Sequence, residues 1–205
     1  MTGESNTSRL LETILVQAMK ICNADAGTIY MRAEDDTLKF ELLHNQSLDL
    51  KLGGSTGKPI DLPFIPLYDP QSGQPDTHHV VTRVAHTAQL INIPNLDADP
   101  DSSFSGPHKF DQKFGYKSVS FLAVPLKNAA NEVSGVLQLI NAKDGITKKT
   151  IEFDPALEEV VLSLASLAAV SLDARERESS LRQQITQLQI QIDRTRAYRQ
   201  VAEIT

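Results

Sequence analysis

Between Ser8 and Ile21 the apolar residues Leu10, Leu11, Ile14, Leu15, Ala18 and Ile21 recur every three or four positions, one stripe of a helix that Ser8 can cap. Asn23 to Gly27 (NADAG) ends that stripe. The period then changes: Thr28 to Arg32 (TIYMR) alternates as a strand, Glu34-Asp35-Asp36 turns, and Thr37 to Leu43 (TLKFELL) returns as its partner. A helix therefore feeds a hairpin.

Residues 53–76 (GGSTGKPIDLPFIPLYDPQSGQPD) are too dense in proline and glycine for a regular helix or a central strand. Their length and their apolar residues Ile60, Leu62, Phe64, Ile65 and Leu67 predict a lid that packs over something. Thr77 to Ala88 reads as a short helix with Val80, Val81, Val84 and Ala85 inward, and Gln89 to Ile93 as a short strand. Asn95 to Lys109 is a polar loop, and Phe110 to Phe114 a helical turn stopped by Gly115. Ser118 to Leu126 and Val133 to Asn141 form the clearest hairpin, joined by KNAANE.

From Asp154 to the end the pattern is helical, with Asp154 as cap and Pro155 at the first helical position. A heptad seam runs Leu157, Val160, Leu164, Leu167, Ser171, Ala174, Glu178, Leu181, Ile185, Leu188, Ile192, Thr195, Arg199, Ala202. Extra apolar residues at Val161, Leu162, Ala165, Ala168 and Ala169 point its first part at its own domain. The later part, a narrow Leu/Ile stripe among Gln, Arg and Glu, suits pairing with another chain, since a lone helix of that kind is marginal in water.

Composition narrows the classes. At 205 residues, 40% hydrophobic and 22% charged, the chain holds one sizeable domain plus an extended element. A net charge of −6 offers no basic field for nucleic acid or anionic lipid. The start TGESNTS lacks the pattern of a secretion signal, and the serine-broken run Val160 to Leu172 is too short for a membrane span. The single cysteine, Cys22, fits a reducing compartment, so the cytoplasm is expected.

Read together, NIPNLDADPDSSF from Asn92, FDQKFGYKSVSFLAVPLKN from Phe110, GVLQLINAKD from Gly135 and the Phe153-Asp154 pair closely resemble the GAF domain family, the regulatory sensor module of cyclic-nucleotide phosphodiesterases, bacterial cyclases and phytochromes. The resemblance covers about residues 8–172 and is most specific at Gly115-Tyr116-Lys117-Ser118 before Leu122-Ala123-Val124-Pro125-Leu126. It implies an α+β fold: a twisted, mainly antiparallel sheet with N- and C-terminal helices on one side and a small-ligand pocket on the other. It implies no enzyme. Residues 173–205 resemble the coiled-coil linkers that join such domains to a cyclase, phosphohydrolase, kinase or phosphatase, so a fragment of a longer signalling protein and a parallel homodimer are expected.

By position in the resemblance, Asp111, Lys117, Ser118 and Ser120 border the pocket, with Thr77 at a helix start, and cyclic AMP or cyclic GMP is the leading ligand. The alternative is that Asp111 caps a turn, Lys117 is solvated and the serines fill a polar strand face; a different small molecule, or ligand-free dimerisation, also stays open. Asn141, Lys143, Phe153 and Asp154 partly match the phosphodiesterase motif whose Lys and Asp form an ion pair behind the pocket, but Ala142 intervenes and Pro155 stands where the acidic partner would be. They are read as a structural clasp between Lys143 and Asp154.

Other chemistries fail on spacing. GGSTGK lacks the flanking residues of a phosphate-binding loop, because Leu52 and Pro59 stand where it needs Gly and Ser or Thr. Asp97, Asp99 and Asp101 are followed by Ser102, not the turn glycine of a calcium loop. His78, His79 and His86 read as surface histidines, and one cysteine serves neither a bilin site beside His108 nor a disulfide-exchange enzyme.

Overall fold

The computed structural model describes residues 2–98, 104 and 106–202. The elements are α1 (Thr2–Ile21), β1 (Ala24–Arg32), β2 (Thr37–Asn45), β3 (Leu50–Gly53), β4 (Ile65–Pro66), α2 (Val80–Thr87), β5 (Ile91–Ile93), α3 (Gly106–Phe114), β6 (Phe121–Lys127), β7 (Val133–Lys143), β8 (Thr150–Ile151) and α4 (Glu158–Ala202). The strands form one antiparallel sheet in the order β3-β2-β1-β7-β6-β5, with β4 added to β2 and β8 to β7. It is the α+β fold expected.

Strand alternation sorts the core into two layers. Ile29, Leu122, Val124, Leu137 and Leu139 face α1 and α4, where they meet Leu11, Leu15 and Ala18 from one helix and Val161, Ala165, Ala168 and Ala169 from the other. Their neighbours Tyr30, Phe121, Ala123 and Val136 face the opposite way, under Val80, Val81 and Val84 of α2. α1 lies so close to the sheet that a Cβ on Gly27 would sit 2.8 Å from the Leu15 side chain and 2.9 Å from Met19.

The segment Pro155–Ile192 is by length and composition apolar enough to cross a membrane; Val161, Ala165, Ala168 and Ala169 of its first part are buried in the helix-side core, while Val160, Leu167 and Val170 are exposed. Farther along α4, Leu181, Ile185, Leu188 and Ile192 lie exposed on one stripe. Side chains at Thr195, Arg199 and Ala202, and the acids Asp99 and Asp101, fall outside the described residues.

Several element ends differ from expectation. The first helix starts at Thr2 rather than Ser8. Residue 77 precedes α2, whose N-cap is the extended residue His79. Ser118 to Ser120 are not strand: the amides of Val119 and Ser120 donate to Asn141 Oδ1 instead of a ladder carbonyl. The short edge strands β3 and β8 carry too few residues for a readable alternation.

Candidate functional site

The sheet face opposite α1 and α4 holds a cavity of about 280 Å³. Ala26, Thr28 and Tyr30 of β1, Phe40 of β2, Phe121 of β6, and Gln138 and Ile140 of β7 make its floor. Leu62, Pro63 and Ile65 from the 53–76 loop, Val80 and Val81 of α2, and Phe110 and Lys113 of α3 enclose it. Tyr30 and Phe40 pack with ring centroids 4.7 Å apart, an aromatic pair within the floor.

Polar groups are few and placed. The Tyr30 hydroxyl donates to Gln138 Oε1 at 3.2 Å, and burial pushes the phenol pKa far up, so it stays a donor. At the start of α2 the N-cap residue His79 makes no side-chain cap bond, and Val80 and Val81 line the cavity; the helix dipole favours an anion there. Lys113 reaches the rim, its Nζ 3.4 Å from the Asp61 carbonyl. Asp76 holds the lid's end, with Oδ1 2.9 Å from His78 Nδ1 and Oδ2 3.3 Å from His79 Nδ1. Burial pushes its carboxyl up, but the His78 and His79 contacts outweigh that and leave it below the usual range. Among the described residues no group of three metal-ligating side chains occurs.

Of the five residues placed at the pocket by sequence, only Ser118 lines it. Its hydroxyl and its amide both donate to Asp111, each at 2.8 Å, so Asp111 braces the wall rather than facing the cavity. Lys117 is exposed and pairs with Asp97 at 2.9 Å. Ser120 is fully buried behind the wall; its Oγ donates to the Ile151 carbonyl at 2.7 Å and accepts from the Ala142 amide at 3.2 Å. Thr77 is exposed and lies outside the cavity. The polar residues of the sheet floor, Thr28, Tyr30 and Gln138, sit at alternate strand positions, and His44, Asn45 and His79 join Ser118 and Lys113 around them; the readable signal for the floor is a glutamine inside the apolar run VLQLI.

Behind the wall lies a polar seam. Asp25, 5% exposed, accepts from Ser47 Oγ and from the Tyr116 hydroxyl, each at 2.7 Å. The Tyr116 oxygen in turn accepts from Asn141 Nδ2 at 2.9 Å, and burial followed by Asp25 drives its pKa strongly upward. Asn141 Nδ2 also donates to the Lys117 carbonyl at 2.7 Å, while its Oδ1 accepts from Val119 at 2.7 Å and Ser120 at 3.3 Å. One buried side chain thus ties the end of β7 to the wall segment 116–120.

The expected pairing of Lys143 with Asp154 is corrected. Lys143 Nζ lies 4.0 Å from Asp25 and donates to Thr150 Oγ1 at 3.0 Å, because β7 runs antiparallel to β1 and sets Ala142 opposite Ala24. Asp154, directly after the buried Phe153, accepts from the Ala156 amide at 2.9 Å and caps the turn that leads into α4. Phe153 fills the helix-side core, and its carbonyl accepts from Asn92 Nδ2 at 3.3 Å. Nearby, burial and then the Asp154 charge push the Cys22 thiol up to about 11, which leaves it an unreactive thiol at neutral pH.

An antiparallel sheet with terminal helices on one face and a lidded cavity on the other is the architecture of a sensory regulatory domain. The GAF domain family model matches residues 6–172, and the chain belongs to that family. A cGMP-specific 3',5'-cyclic phosphodiesterase of Drosophila erecta is 27% identical over 161 residues, covering 75% of this chain but only 13% of that protein. The blue-light absorbing form of the Thermosynechococcus elongatus PixJ GAF domain superposes with a TM-score of 0.57 at 15% identity, over 92% of this chain and 95% of the other. A GAF domain/HD domain protein from Geobacter sulfurreducens gives 0.56 at 12% identity, over 85% and 97%.

Of the three side chains that meet the Asp25 carboxylate, Tyr116 and Lys143 differ in worth. Tyr116→Phe strips a buried carboxylate of a hydrogen bond and should cost about 1–3 kcal/mol of unfolding free energy. Lys143→Ala removes a longer, partly solvated contact and should cost under about 1 kcal/mol. Urea unfolding of both variants checks the order; a larger loss for Lys143→Ala would contradict it.

Proposed function

We propose that this chain is a cytoplasmic small-molecule sensor whose ligand is a cyclic nucleotide, relaying occupancy through α4 to an output domain. The observation that carries the reading is the cavity itself: aromatic and apolar walls for a purine, with the uncapped start of α2 and the Lys113 ammonium placed for a cyclic phosphate. The match to a cyclic-nucleotide phosphodiesterase over three quarters of this chain supports it, although that match spans a small part of the relative. The GAF/HD protein among the structural neighbours supports a phosphohydrolase-type or comparable output.

Residues 173–205 are the linker in this reading, and the exposed Leu181, Ile185, Leu188 and Ile192 recur at a and d spacing, the seam of a parallel dimer with a second copy. The polar seam residues Ser171 and Glu178 would hold two helix registers close in energy, which lets ligand binding select one.

Calorimetric titration of the chain with cyclic GMP and cyclic AMP tests the ligand. Saturable binding of at least one at micromolar concentration is expected, and no heat at millimolar ligand sinks the reading. In sedimentation equilibrium the chain should run as a dimer at micromolar concentration; a monomer would contradict the paired α4 seam.

A further inference from the structure

We propose that Gln138 decides which base the cavity accepts, by presenting a fixed hydrogen-bond donor that favours a keto purine over an amino purine. This deepens the cyclic-nucleotide reading and rests on it. Gln138 stands at the centre of the sheet, opposite Thr28 on β1 and Ala123 on β6, and is 5% exposed. A buried amide on a strand of Val, Leu and Ile is costly unless something answers it.

A carboxamide has nearly the same shape at both ends but opposite hydrogen-bonding sense, so a free one turns to suit either ligand edge. In this structure Tyr30 sets the sense of the Gln138 amide. Tyr30 is protonated at any ordinary pH and donates to Gln138 Oε1 at 3.2 Å. With its oxygen occupied, Gln138 keeps its Nε2 for the cavity that it lines.

A donor held at the cavity floor asks the ligand for an acceptor. Guanine supplies one in its 6-keto oxygen, whereas adenine puts an amino donor at the same position.

The test is a pair of titrations, cyclic GMP and cyclic AMP, on the wild-type chain and on folded Gln138→Met and Tyr30→Phe variants. Wild type should favour cyclic GMP by about tenfold or more. Gln138→Met should bring the two affinities within about threefold through loss of cyclic GMP binding, and Tyr30→Phe, which lets the amide turn, should narrow the ratio in the same direction. If Gln138→Met does not fold, Tyr30→Phe carries the test. Equal wild-type affinities, or a cyclic GMP preference unchanged in the folded variants, would overturn the role of Gln138 and leave the sensor reading standing. Binding of neither nucleotide would overturn both.

Discussion

The buried amide of Asn141 is the one interaction on which the rest of the molecule turns. It sits in the left-handed region at φ 57°, a conformation that asparagine tolerates better than most residues. From there its side chain makes four hydrogen bonds, two through Oδ1 and two through Nδ2, all of them to residues 116–120. An amide has no further capacity, so the position is fully satisfied and the wall segment is held without being part of the ladder. Without that side chain, the amides of Val119 and Ser120 would be left in the interior unpaired.

The same segment has a second face. Ser118 belongs to the cavity wall, while Ser120, two residues on, reaches the Ile151 carbonyl on β8. Phe153 and the Asp154 cap follow within three residues and open α4. The cavity and the root of the helix are therefore separated by a short chain of hydrogen-bonded groups, backed by the Asp25–Tyr116 pair. Low dielectric makes such a seam stiff when every member is paired, and in the proposed function a displacement of Ser118 travels along it to the root of α4. That is how a small ligand on one sheet face could reach helices packed on the other.

Much of this was legible in the residues. The stripe from Leu10 to Ile21, the hairpin around KNAANE and the Asp154-Pro155 start were carried by local periodicity and capping chemistry, which depend on near neighbours. The site was harder. Thr28, Tyr30 and Gln138 occupy alternate positions that would equally suit a solvated sheet face, and only the lid and α2 laid across them make that face interior. The clasp was misassigned for a similar reason: Lys143 and Asp154 are close in sequence, but the pairing of β7 with β1 brings Asp25, from the far end of the chain, to the lysine instead.

Hydrogen exchange of the chain with and without cyclic GMP is the most direct examination of the link between cavity and helix. The seam described above requires that ligand slow exchange at Val119, Ser120 and Ala142 together with the first turns of α4, along with the cavity wall. Protection confined to cavity-lining residues, with residues 141–161 exchanging as before, would contradict it.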